Sequence, residues 1–295
     1  MPVELRYHAN TVAFKTLISP TELAAIQNDA LIVDTRHDLA NPEAGKNAHV
    51  AGHIGGAVFM SLDHDLAGPK TGQNGRHPLP DTAVFADKLR TLGLGRGMQL
   101  VVYDEQNGMF AARLWWLARY LGHANVAVLD GGLAAWKRAG YTLSTDIVAK
   151  AAGDFVAGEP LTSAVNVSDL LADPAHAQFL VVDARAAERY RGDSEPLDRV
   201  AGHIPGALNR PFAKNLTPEG TFKSASVLRE EFQALLSGIG ERKLVHQCGS
   251  GVTACHNLLA MEHAGLAGAA LYVGSWSEWS SDPKRPVATG DEPGN

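Results

Sequence analysis

An eight-residue segment occurs twice in this chain. Val50-Ala51-Gly52-His53-Ile54-Gly55-Gly56-Ala57 returns as Val200-Ala201-Gly202-His203-Ile204-Pro205-Gly206-Ala207, one position of eight differing, 150 residues further on. Upstream, Ile32-Val33-Asp34-Thr35-Arg36 is answered by Val181-Val182-Asp183-Ala184-Arg185 at an offset of 149. Downstream, Gly131-Gly132-Leu133-Ala134-Ala135-Trp136 is answered by Gly274-Ser275-Trp276-Ser277-Glu278-Trp279 at an offset of 143. Landmarks that keep their order and nearly keep their spacing mean an internal duplication. The 295 residues therefore hold one folding unit twice, each copy long enough for its own core.

Within each copy, short apolar runs alternate with stretches of helical periodicity. In the first, Leu31-Ile32-Val33, Leu100-Val101-Val102-Tyr103 and Val126-Ala127-Val128-Leu129 read as buried strands, the last ended by Gly131-Gly132. Asp81 is placed to cap a helix through Val84, Phe85, Leu89 and Leu92, and residues 110–121 give another that stops at Gly122. The second copy offers strands at 179–182, 243–246 and 269–273, and helices near 227–236 and 253–264. This alternation predicts two α/β domains, each a mainly parallel sheet with helices on both faces, and in such sheets ligands bind at the carboxyl ends of strands. Residues 142–164 break the pattern at Ser144-Thr145-Asp146, Gly153-Asp154 and Gly158-Glu159-Pro160, so the domains are expected to divide near residue 150, as 1–150 and 151–295. Most repeated residues read as structure: Asp34 and Asp183 as loop anchors or caps, Trp136 and Trp279 as packing, Gly-His-Ile as a turn.

Charge narrows the function classes. The 26 Lys and Arg against 32 Asp and Glu leave a net charge of −6, which argues against bulk-charge binding to nucleic acid and requires any anionic substrate to be met by a local cluster. Two cysteines, Cys248 and Cys255, with no CxxC pair, make neither a disulfide framework nor a zinc site, so no metal is expected. Met1-Pro2-Val3-Glu4-Leu5-Arg6-Tyr7-His8 lacks a basic stretch followed by an apolar one, and no run approaches the ~18 apolar residues of a membrane span. A reducing, cytoplasmic location is expected.

The copies differ where chemistry is expected. Carrying the offset of 143 back through the third strand sets Cys248 opposite Glu105, Ser250 opposite Asn107, Gly251 opposite Gly108 and Thr253 opposite Phe110. In the second copy, Val245-His246-Gln247-Cys248-Gly249-Ser250-Gly251-Val252-Thr253-Ala254 reads as a strand, a turn of small residues and a helix start. Small residues leave main-chain N–H groups bare, and these together with the helix's positive end favour a thiolate at Cys248. Glu105 cannot serve as a sulfur nucleophile, so only the second copy is expected to be active. Cys255, among Ala254, Leu258 and Leu259, reads as a buried hydrophobe. Three rival readings are weaker. A dinucleotide site would want an acidic residue where Leu271-Tyr272-Val273-Gly274 stands. A thiol phosphatase would want an arginine at the far end of the loop, where Ala254 stands. A cysteine hydrolase would need a histidine base, for which His246, His53 and His203 are the candidates that only folding can sort.

These residues resemble the tandem-domain sulfurtransferases, the rhodanese and 3-mercaptopyruvate sulfurtransferase family, over nearly the whole chain: two Gly-His-Ile motifs, two Asp-x-Arg motifs, an inactive first domain and a cysteine loop in the second. Cys248-Gly249-Ser250-Gly251-Val252-Thr253 is similar to the mercaptopyruvate type, since the thiosulfate type usually carries two basic residues where Gly249 and Ser250 stand. The resemblance implies two rhodanese-like domains and transfer of a sulfane sulfur from 3-mercaptopyruvate, or alternatively thiosulfate, through a Cys248 persulfide to a thiol, thioredoxin or cyanide, with no cofactor. A non-enzymatic persulfide carrier is the competing class. It further implies that Gly249, Gly251, Val252 and Thr253 cradle the sulfur and that Arg189 binds the donor carboxylate. Arg199, or failing that Arg191, would be a second arginine. Ser250 and His53 would relay protons, with Asp38 or Glu43, or neither, behind His53. The site is then expected in the cleft between the domains.

Overall fold

The computed structural model describes residues 13–294. The stretch Met1–His8, read above for a leader, lies outside them. Strands β1 (Leu17–Ile18), β2 (Ala30–Asp34), β3 (Val58–Phe59), β4 (Gln99–Tyr103) and β5 (Val126–Leu129) form one five-stranded sheet in the order β1-β5-β4-β2-β3. Strands β6 (Ser163–Val165), β7 (Phe179–Asp183), β8 (Leu208–Asn209), β9 (Lys243–Gln247) and β10 (Ala270–Tyr272) repeat that order as β6-β10-β9-β7-β8. All pairings are parallel. The long central strands are the ones the sequence pattern predicts. The two-residue strands β1, β3 and β8 are too short to produce any alternation in sequence.

Alternation along each strand sorts its side chains between two faces. Leu31 and Val33 of β2 and Leu100 and Val102 of β4 point to the side covered by helices Thr82–Thr91 and Ala111–Tyr120, while Ile32, Val101 and Tyr103 point to Leu23, Leu133 and Trp136. The first of these helices begins as expected: the Asp81 carboxylate accepts from the amides of Ala83 and Val84 at 2.9 and 3.0 Å. Helix Ala111–Tyr120 packs on its counterpart Ala254–His263, and their apolar faces merge with Leu180, Val182 and Leu244 of the second sheet into one core. The two halves therefore bury their carboxyl-end loops toward one another. The connecting segment runs along the first half, with the amides of Gly153, Phe155, Gly158 and Leu161 donating to carbonyls of Arg90, Leu94, Leu121 and Arg119 before β6 begins.

Duplicated motifs form duplicated scaffolding. Arg36 grips Asp34 at 3.0 and 2.6 Å and donates to the Gly52 carbonyl at 2.8 Å; Arg185 grips Asp183 at 3.0 and 2.7 Å and donates to the Gly202 carbonyl at 2.7 Å. Asp-x-Arg thus pins the glycine of Gly-His-Ile in both copies, through buried bidentate pairs.

Two core histidines give the fold a pH dependence. His246 faces Met261 across 3.1 Å, and His256 stacks on Phe222 with ring centroids 4.4 Å apart. Burial pushes His246 down to about 3, with Arg210 adding to the effect, and pushes His256 down to about 4. Both are neutral in the fold while the unfolded chain protonates near 6.5, so between these values the unfolded state binds more protons and stability falls as pH falls. A His246→Leu variant is expected to lower the slope of unfolding free energy against pH by about 1.4 kcal/mol per pH unit over this range. Urea titrations between about pH 6 and 4.5 measure it, and an unchanged slope would mean that His246 does not enter the fold neutral.

Candidate active site

The loops after β4 and β9 occupy the same place in the two copies, and the ladder register aligns them. Asp34 of β2 pairs with Tyr103, and Asp183 of β7 pairs with Gln247, so the next residues, Asp104 and Cys248, are equivalent. The carbonyl of each accepts from the matching residue after the third landmark, Leu133 for Asp104 and Trp276 for Cys248. Glu105 is therefore not at the cysteine position, as the offset of 143 suggested; its half-exposed carboxylate instead lies 4.0 Å from Arg36. That offset is regained only at Gly108 and Gly251, because the first loop is one residue longer, which sequence comparison alone has no means of placing.

Asp104 shows what this loop is built to do. Its carboxyl oxygens accept from the main-chain amides of Gln106, Gly108, Phe110 and Ala111 at 2.8–2.9 Å. Burial still pushes the carboxyl up, and those four donors oppose it. In the second copy the amides equivalent to the last three belong to Gly251, Thr253 and Ala254, and among the described residues none of them donates to a protein acceptor. A strand-to-helix turn with converging N–H groups is an anion cradle. In the first half the Asp104 carboxyl group fills it; in the second Cys248 stands at the equivalent position.

The cradle is held from several sides. Cys248 N–H donates to Ser275 Oγ at 3.2 Å, the Gly249 carbonyl accepts from Ser277 at 2.9 Å, and buried Arg113 of the first half donates to the Gly251 carbonyl at 3.2 Å. Gly251 has φ +75°, and a Cβ there would stand 2.4 Å from the Val273 carbonyl, so only glycine fits. Cys248 is 1% exposed yet lines a cleft with Gly249, Ser250, Val252 and Thr253, opposite Arg76, His77 and Phe110 of the first half. Cys255 instead donates to the Gly251 carbonyl at 3.3 Å, and burial pushes its thiol up to about 12, leaving it protonated.

Histidine is where the sequence reading needs correcting. Ser250 Oγ lies 2.8 Å from Nδ1 of His77, whose Nε2 is 3.6 Å from Asp63; Asp63 also meets Lys70 at 2.8 Å and His37 at 3.7 Å. Burial, reinforced by the Arg113 charge, pushes His77 down to about 3, so its ring is neutral at physiological pH. His53 is not brought to this cluster. It is fully buried, its Nδ1 and Nε2 facing the carbonyls of His49 and Asp146 at 2.8 and 3.2 Å, and His203 repeats the arrangement against Tyr190 and Pro293. The Gly-His-Ile histidine thus persists in both copies because it ties a loop in both. Neither Asp38, whose carboxylate accepts from Ala40 at 2.8 Å, nor exposed Glu43 backs it. His77 was legible only as Gly75-Arg76-His77-Pro78 in the loop of residues 60–81, which is longer than its counterpart at 210–224 and shares no repeated motif with it.

Arginines divide likewise. Arg189 is brought to the cleft, and Arg76, missed in the sequence, joins it; both guanidinium groups lie against Gly249, 3.6 and 2.8 Å from where a Cβ would stand. Arg199 is exposed and Arg191 pairs with Asp193 at 2.8 Å, so neither reaches the cysteine. No group of three or more His, Cys, Asp or Glu among the described residues could hold a metal ion, and no helix among them is long and apolar enough to cross a membrane.

Comparison with known proteins agrees with this geometry. The rhodanese-like domain family matches residues 19–139 and again 163–282. The chain is 46% identical to a probable 3-mercaptopyruvate sulfurtransferase of Pseudomonas aeruginosa, over 93% of this chain and 98% of that one. It is 42% identical to a putative thiosulfate sulfurtransferase, SseB, of Mycobacterium tuberculosis, over 94% and 98% of the two chains. Among solved structures, SseA from Escherichia coli, a 3-mercaptopyruvate sulfotransferase by its description, superposes with a TM-score of 0.75 at 32% identity, over 89% of this chain and 99% of that one.

Proposed function

The chain belongs to the rhodanese-like family, as a sulfurtransferase with two such domains, and from that premise we propose that it moves a sulfane sulfur from 3-mercaptopyruvate to a thiol or cyanide through a persulfide on Cys248. The observation that carries this reading is that the amides of Gly251, Thr253 and Ala254, equivalent to those that hold the Asp104 carboxyl in the first half, find no protein acceptor among the described residues in a Cys248 loop that faces a cleft with Ser250, His77 and two arginines. In the first half the same cradle binds a carboxyl group built into the chain.

The chemistry follows from the parts. The Cys248 thiolate attacks the donor sulfur; the S–S bond forms, the C–S bond breaks, and its electron pair leaves as the enolate of pyruvate. That enolate takes a proton at carbon, supplied through Ser250 and the neutral His77 beside it, and pyruvate departs. The donor's thiol proton balances the transfer, so Cys248 is left as a persulfide anion held by the N–H groups of Gly251, Thr253 and Ala254. Gly249 and Val252 shape the floor beneath the arginines. An acceptor thiolate or cyanide then attacks the outer sulfur, taking it as a persulfide or thiocyanate and returning the Cys248 thiolate. Thioredoxin is the protein acceptor this reading names. No cofactor enters these steps, and a pathway running on free thiols suits a reducing, cytoplasmic location.

Turnover of purified protein with 3-mercaptopyruvate or thiosulfate and cyanide tests the proposal. Sustained thiocyanate release is expected, faster with 3-mercaptopyruvate. Loading of one sulfur without turnover would make the protein a carrier, and a preference for thiosulfate would replace the donor. Arg189, able to grip the donor carboxylate, is expected to matter chiefly for binding: Arg189→Ala should raise KM for 3-mercaptopyruvate by about tenfold or more while kcat changes much less. An unchanged KM would return Arg189 to its ion pairs with Glu195 and Asp198.

A further inference from the structure

We infer that Asp198 selects the charge class of the donor, favouring a monoanionic thiol donor over a dianionic one such as thiosulfate. The inference rests on Cys248 being the sulfur carrier. Arg76 and Arg189 are the two cations that line the cleft beside the cysteine loop, and they come from different halves of the chain. Asp198 touches both: one carboxylate oxygen pairs with Arg76, and the other lies 3.4 Å from Arg189 Nη2. Its side chain is only 5% exposed, so water screens the contact weakly.

The charges in contact with these two arginines balance. Glu195 takes a second N–H of Arg189 at 2.6 Å and reaches Arg185 at 3.1 Å, and Arg185 is already committed to Asp183 at 2.7 Å. Three arginines thus face three carboxylates, while Asp63 across the cleft is met by Lys70. A guanidinium offers five N–H donors, so Arg76 and Arg189 can take a donor carboxylate on their unused edges with Asp198 still in place. A single negative charge fits that balance. A second would sit against the Asp198 carboxylate, where repulsion at contact range is strong, and Arg113, the buried cation without a carboxylate partner among the described residues, already donates to the carbonyls of Leu66, His77 and Gly251. Neighbouring Arg191, whose pairs with Asp193 and Asp291 are exposed, offers the cleft nothing.

The test compares Asp198→Asn, which keeps an oxygen for the arginines and removes the charge, with wild type and with Asp193→Asn at the exposed pair. In Asp198→Asn the ratio of kcat/KM for thiosulfate to that for 3-mercaptopyruvate is expected to rise by about tenfold or more, mostly through the thiosulfate KM. Asp193→Asn should leave the ratio unchanged. An unaltered ratio in folded Asp198→Asn, or one shifted toward 3-mercaptopyruvate, overturns the inference while leaving the sulfurtransferase reading intact. Failure of wild type to turn over either donor would instead remove the reading beneath it. Should Asp198→Asn not fold, competitive inhibition of wild type decides: pyruvate, a monoanion, is expected to inhibit more tightly than sulfate, a dianion, and the reverse order overturns the inference.

Discussion

Cys248→Ser is expected to lower sulfur transfer by about 10⁴-fold or more, with the fold unchanged. The two side chains differ by one atom and fill the same space, so the core that includes Cys248 has no reason to rearrange. What is lost is the nucleophile. A serine hydroxyl has no adjacent base in this loop, because the His77 nitrogen that faces the loop is already engaged with Ser250 at 2.8 Å. Intact-mass measurement after donor treatment should find one added sulfur on wild type and none on the variant. Cys255→Ser is the internal comparison: that thiol is buried, pushed up to about 12 and bonded to the Gly251 carbonyl, so most activity should survive. Equal activity in Cys248→Ser and wild type would end the persulfide mechanism.

His77→Ala is expected to lower kcat by about 10²- to 10³-fold, with a much smaller change in the KM for 3-mercaptopyruvate. Ser250 has the only hydroxyl in the cysteine turn before Thr253, and His77 is the ring that meets it, with Asp63 behind. Removing the ring leaves the arginines in place, so donor binding persists while the proton needed by the departing enolate has lost its route. His53→Ala should do the opposite. It strips two carbonyls of their ring contacts and is expected to cost about 2–3 kcal/mol of stability, with kcat per folded molecule close to wild type. Kinetics and urea unfolding on both variants separate the two roles, and a kcat loss confined to His53→Ala would reverse the assignment.

The two histidines also show what a duplicated sequence makes legible. Residues that recur in both copies, Asp34 with Asp183, Arg36 with Arg185 and His53 with His203, do the same job twice, and that job is holding loops at the ends of two identical sheets. The chemistry proposed for this chain lies where the copies part: Cys248 against Asp104, Gly249-Ser250 against a loop one residue longer, and His77 and Arg76 in a loop at 60–81 longer than its counterpart at 210–224. Reading the first loop at a constant offset set Glu105 opposite the cysteine, since an insertion of one residue changes no composition and leaves every later landmark in step.

By itself, the sequence determined that the chain folds as one α/β unit twice, which central strands carry the sheets, and that a lone cysteine stands at the carboxyl end of a strand in a turn of small residues. These are local properties, written in periodicity, capping residues and glycine spacing. Tertiary structure decided which histidine meets Ser250, which arginines reach the cysteine and which carboxylate holds them. Those choices are made where helices Ala111–Tyr120 and Ala254–His263 press the unlike loops of the two halves together, and His77 and Ser250, 173 residues apart, become neighbours only through that packing.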